Sequence, residues 1–129
     1  MTLLPDFYHV EKIISPSDNI HIAEIHLNPA HPIFGGHFPD NPVAPGVCMM
    51  QILKELVEET EQKTLFLIHA SNVKFTALIN PNENPVLQFR FEILHDDEGQ
   101  VKVKNTTTFG ETVALKLSVT YGASFSRGK

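Results

Sequence analysis

The chain has a single cysteine, Cys48. No internal disulfide can form, and a reducing compartment is the natural setting. Long apolar runs are also missing. Residues 1–20 are interrupted by Pro5, Asp6, His9, Glu11, Lys12 and Asp18 and hold no stretch long enough for a signal peptide. Elsewhere no run approaches the roughly 18–20 apolar residues that a spanning helix needs. Positive charge is in deficit: 10 Lys and Arg stand against 15 Asp and Glu, for a formal net charge of −5, which argues against nucleic acid as a partner. There is no internal repeat, low-complexity linker, P-loop or dinucleotide fingerprint. His26, His31 and His37 stand at no recognised zinc spacing. These absences lead to the expectation of a soluble, cytoplasmic protein with no membrane span, no metal and no cofactor.

What is present suffices for one compact domain, residues 1–129. Hydrophobic residues make up 42% of the 129, which excludes disorder as the main reading. A core can form at this size, and dimerisation would strengthen it. Four segments after residue 62 have the two-residue period of strands. They are 64–75, 86–94 (Leu87, Phe89, Phe91 and Ile93 on one face), 101–109, and 112–121 (Val113, Leu115, Leu117, Val119 and Tyr121 on one face). Asp96-Asp97-Glu98-Gly99 and Gly110-Glu111 supply hairpin turns, so an antiparallel meander is expected. Residues 20–27 read as a strand whose alternation slips at Ala23-Glu24, which suggests a bulge. Residues 8–14 read as a further strand.

One segment reads as a good helix, 46–61. Met49, Ile52, Leu53 and Leu56 follow the i, i+3, i+4, i+7 rule. Its first turns are almost wholly apolar and Glu55 to Glu61 are charged, so the start is expected to be buried and the end wet. One helix and one antiparallel sheet make an α+β domain in which the sheet wraps the helix.

The Pro/Gly-rich stretch Asn28 to Gly46 is long for a connector, and such loops tend to be functional. Within it runs His37-Phe38-Pro39-Asp40-Asn41-Pro42-Val43-Ala44-Pro45-Gly46-Val47. Three prolines hold this segment extended. Gly35 and Gly36 would let the backbone approach a neighbour closely. The amides of Gly46 and Val47 open the helix without intrahelical acceptors, and with the helix dipole they favour negative charge. A histidine, a stiff spacer and a helix N-terminus place a base opposite an oxyanion site, the pairing that proton abstraction beside a thioester carbonyl requires. The residues taken alone more often mean a surface or capping histidine and a plain connector.

The run His-Phe-Pro-x-x-Pro-Val-x-Pro-Gly-Val, followed by a single hydrophobic helix, resembles the signature of the beta-hydroxyacyl-(acyl-carrier-protein) dehydratases of fatty acid synthesis. A second match is Val73-Lys74-Phe75 with Pro81 beyond it, similar to that family's Lys-Phe-x-x-x-x-x-Pro-Gly-Asp, although Asn82-Glu83 replaces Gly-Asp. The resemblance implies a hot-dog fold, a curved antiparallel sheet around one central helix. It also implies a homodimer or higher assembly with sites between subunits, and a lyase acting on an acyl-carrier-protein or CoA thioester. It assigns His37 as the base, the Gly46 amide as donor to the thioester carbonyl, and Phe38, Pro45, Gly46 and Val47 to the substrate site.

The family places a Glu or Asp fourteen residues after the histidine, on the helix of the other subunit, to help the beta-hydroxyl leave. Gln51 stands there, and an amide supplies no proton at neutral pH. Glu55 follows one turn on. The usual acid-x-x-x-Gln therefore reads Gln51-x-x-x-Glu55, with both positions on one helix face. Either the pair is functionally exchanged, or Glu55 begins a solvated stripe with Glu58, Glu59 and Gln62. Cys48 is a low-pKa thiol at a helix start or a packing residue. Lys63, Lys74, Lys102 and Lys104 are available to an acidic carrier. The leading expectation is dehydration of a beta-hydroxyacyl thioester to a trans-2-enoyl thioester. The alternatives are a non-catalytic acyl-binding subunit, a heteromeric partner of a dehydratase paralogue, and a hot-dog thioesterase.

Overall fold

A computed structural model of the chain describes residues 5–35 and 42–126, with only the backbone of 124–126. In chain order the elements are β1 (Tyr8–Ile14), β2 (Ile20–Leu27), the single turn α1 (Pro32–Gly35), α2 (Gly46–Glu61), β3 (Lys63–Phe75), β4 (Val86–His95), β5 (Val101–Phe109) and β6 (Thr112–Ser126). The strands form one antiparallel sheet in the order β1-β2-β4-β5-β6-β3. The sheet wraps α2, which is the hot-dog arrangement.

The two-residue period fixes the inner face of the sheet. Leu87, Phe89, Phe91 and Ile93 of β4 point inward, as do Val101 and Val103 of β5 and Leu115, Leu117, Val119 and Tyr121 of β6. They meet Met49, Ile52, Leu53, Leu56 and Val57 of α2, all at most 2% exposed. Burying a side chain of this kind contributes about 1.5–3 kcal/mol. The stretch before α2 is pinned by Phe7, whose ring stacks on Phe34 and meets His31 edge-on, both at 5.3 Å.

Four sequence expectations need correction. The meander holds for β4-β5-β6 only. Strand β3 pairs with β6 and lies at the far edge, because α2 and the chain after it carry β3 across the sheet. There is no bulge at Ala23-Glu24: β2 alternates strictly, with His21, Ala23, Ile25 and Leu27 inward. His21 turns in because Ser15 Oγ hydrogen-bonds its Nδ1 at 2.8 Å and Phe91 lies 5.4 Å from its ring. The irregularity lies instead on β1, between Val10 and Lys12. Helix α2 is only partly wet at its end, where Glu59 is exposed. Glu55 and Glu58 are buried at 9% and 7% exposure, whereas Val47 near its start is 76% exposed. Finally, among the described residues nothing lies within 4 Å of where a side chain on Gly35 would begin, so Gly35 makes no close approach to them; Gly36 lies outside the described residues.

Candidate active site

Residues 42–45 lead into α2, anchored by the Ala44 amide donating to the Ile79 carbonyl at 2.8 Å. Pro45 is the N-cap at φ −63°, ψ 142°, and no side chain caps the helix. Its carbonyl accepts from the amides of Cys48 and Met49 at 3.0 and 3.2 Å. The amides of Gly46 and Val47 precede any intrahelical acceptor, so the positive end of the helix is available to a polarised carbonyl. Gly46 lies against the ring of Phe75: a Cβ there would come 2.7 Å from the ring's Cζ. The second sequence motif thus packs on the first, and glycine is what permits the approach.

Two open clefts meet at Val47 and Met50. One, of about 510 Å³, runs between Val43–Gly46 and Phe75, Leu78 and Ile79. The other, of about 460 Å³, lies between Gln51 and Lys54 of α2, Leu65–Leu67 of β3, and Tyr121. Both have the size of small-ligand sites. Gln51 lines the second cleft; Glu55 is not among its lining residues.

Glu55 sits behind Gln51. Its Oε2 accepts from Gln51 Nε2 at 2.9 Å and its Oε1 accepts from the Tyr8 hydroxyl at 2.7 Å. Burial, then the Glu55 hydrogen bond and the neighbouring carboxylates, push the Tyr8 hydroxyl well above its ordinary titration range. One turn on, Glu58 Oε2 accepts from the Leu65 amide at 2.8 Å and pairs with Lys54 Nζ at 3.2 Å. The solvated-stripe reading of Glu55 and Glu58 is therefore excluded. One carboxylate holds Gln51, and the other fastens the helix to the start of β3. Burial pushes the Cys48 thiol up, so of its two readings packing fits and a low-pKa thiol does not.

Of the residues expected at the site, Pro45, Gly46, Val47 and Gln51 come together around the clefts, with Glu55 hydrogen-bonded to Gln51. His37 and Phe38 lie outside the described residues. Tyr8 escaped sequence reasoning. It opens an edge strand and reaches α2 only through the curvature of the sheet, which no local pattern reports.

A family model described as ApeI-like, ApeI dehydratase, matches residues 12–117. The chain belongs to the ApeI-like dehydratase family. It is 34% identical over 94 residues to a 3-hydroxyacyl-[acyl-carrier-protein] dehydratase FabZ of Caulobacter vibrioides, covering 66% of this chain and 58% of that protein's length. A FabZ of Levilactobacillus brevis is 29% identical over 134 residues, covering 94% of this chain and 88% of the relative. Among solved structures, the dehydratase heterocomplex ApeI:P from Xenorhabdus doucetiae superposes with a TM-score of 0.65 at 17% identity, covering 88% of this chain and 96% of that one. A hypothetical thioesterase with coenzyme A from Streptococcus pneumoniae gives 0.67 at 13%, covering 94% and 88%. Those two likenesses establish the hot-dog fold. In this chain, no described helix is long and apolar enough to cross a membrane.

Proposed function

We propose that the chain is a single catalytic domain that dehydrates a beta-hydroxyacyl thioester, carried by an acyl carrier protein or CoA, to the trans-2-enoyl thioester. His37 takes the proton alpha to the carbonyl while the Gly46 amide at the uncapped helix start holds the carbonyl oxygen. The Cα–Cβ double bond forms as the Cβ–O bond breaks. Gln51 orients the beta-hydroxyl; Glu55, a carboxylate held between Gln51 and Tyr8 in the resting chain, takes up a proton when substrate binds and gives it to the hydroxyl as it leaves as water. The observation that carries this reading is the Gln51–Glu55 hydrogen bond, because it ties a carboxyl, one turn along the helix, to the residue that stands where the family places its acid.

A dimer supports the same chemistry. Strand β3 is an edge strand whose Phe66, Leu67 and Ile68 are 49%, 48% and 46% exposed, and an apolar edge of that kind is a ready pairing surface. Pairing there would cover the clefts beside α2 and bring His37 of one chain to the helix of the other.

The position of Glu55 behind Gln51 favours one second reading. In it the chain is a heteromeric subunit whose dehydratase paralogue provides the acid; the ApeI:P structure is itself a dehydratase heterocomplex.

The test is incubation of the purified chain with beta-hydroxyacyl carrier protein and with the CoA thioester, following the loss of one water by mass. Activity of the chain alone, lowered about 10²–10⁴-fold in His37→Ala, is expected. Activity only after a paralogue is added would establish the second reading.

A further inference from the structure

The outer face of the β1–β2 pair, turned away from α2, gathers two imidazoles and two carboxylates that the dehydratase reading does not use. The strand register sets His9 directly opposite His26, and their rings lie 4.9 Å apart. Glu24 shares the outer face with His26, two residues away, and its Oε2 is 3.0 Å from His26 Nε2. Glu11 falls at the bulge between Val10 and Lys12, outside the ladder pairing, with its Oε2 3.2 Å from His9 Nε2. One donor atom each from His9, Glu11 and His26 all lie within 4.8 Å of one another.

Bonds of about 2.0–2.2 Å from nitrogen and oxygen to a tetrahedral zinc ion put its ligands roughly 3.4 Å apart. Half-exposed side chains on an edge hairpin reach that spacing by small rotations about their χ angles. Imidazole with carboxylate is the donor set of borderline divalent ions; magnesium and calcium prefer oxygen alone. The two carboxylates would offset the charge of the dication, and each already stands against an imidazole nitrogen.

We propose that His9, Glu11 and His26 bind a divalent transition-metal ion of the zinc class across β1 and β2, with the Glu24 carboxylate beside His26. Bound there, the ion would clip the edge strand β1 to the sheet. No sequence spacing announces this set, because cross-strand register assembles it.

The experiment titrates the full-length protein with zinc(II) against a chromophoric chelator, with magnesium(II) in parallel, for the wild type, His9→Ala and His26→Ala. One zinc per chain in the micromolar range is expected, weakened about tenfold or more in each variant, with no competition from magnesium. Zinc should raise the Tm of the wild type, as any ligand of the native state does, and leave that of the variants where it was. Equal zinc affinity in all three proteins, or no saturable binding by the wild type, overturns the proposal. Should His26→Ala lose its far-UV circular dichroism, His9→Ala carries the test, since that side chain is 65% exposed on an edge strand.

Discussion

Gln51 and Glu55 act as one hydrogen-bonded unit, and the two positions answer differently to substitution. Glu55→Gln keeps the shape and the link to Tyr8 but removes the carboxyl joined to Gln51. If Glu55 is the acid, kcat on a beta-hydroxyacyl thioester falls about 10²–10⁴-fold. Gln51→Glu sets a second carboxyl within about 3 Å of the first in a buried place. Like charges there resist joint ionisation, and the amide that orients the hydroxyl is gone, so if Glu55 is the acid the exchange does not simply improve the enzyme. Steady-state kinetics of the two proteins decide the matter. A faster Gln51→Glu enzyme beside an unchanged Glu55→Gln enzyme would return the acid's role to position 51.

At the scale of elements, β3 separates what the sequence discloses from what it does not. Its own existence was legible, as were the bounds 8–14 and 20–27 and the helix 46–61, because apolar periodicity is a local property. Its neighbour was not. Pairing with β6 instead of β4 is a non-local choice made by the path of the chain across α2. The burial of Glu55 and Glu58 was hidden for a related reason. A charged stripe on water and a charged stripe answered by Tyr8, Gln51 and the Leu65 amide have the same spelling. The helix start and its Gly46 were legible from the proline-glycine punctuation, while the packing of Phe75 on Gly46 needed the fold. The edge position of β3 also gives an expected outcome. Ile68→Lys places a charge on an exposed apolar edge, where lysine blocks strand pairing. The variant should run as a monomer in light scattering with unchanged far-UV circular dichroism, and should lose activity if the site is shared. An Ile68→Lys dimer would move the interface elsewhere.

At the scale of the whole molecule, the response to alkali depends on two hydroxyls. The chain has two tyrosines, Tyr8 and Tyr121, and no tryptophan, so absorbance near 295 nm reports these two phenolates alone. Both are held neutral above their ordinary value of 10.0. Burial is the largest cause in each case, followed for Tyr8 by Glu55 and for Tyr121 by the charge of Glu58. A group whose pKa is raised by folding binds its proton more tightly in the folded chain. Its stabilising contribution is complete below the unfolded pKa of about 10 and is lost as pH rises toward the folded value. Stability should therefore be level with respect to these groups up to about pH 10 and fall beyond it. Phenolate should appear together with the loss of circular dichroism, as one cooperative step, rather than as a free titration centred near 10. Tyr8→Phe should halve the absorbance change and leave the remaining step above pH 10. It should also lower stability at neutral pH, since Glu55 Oε1 loses the hydrogen bond from the Tyr8 hydroxyl, at a cost of about 1.5–3 kcal/mol for a hydrogen bond to a charged group. Reversible ionisation of both tyrosines near pH 10 in a chain that stays folded would contradict the burial of the two hydroxyls and, with it, the link between β1 and the helix that holds Glu55.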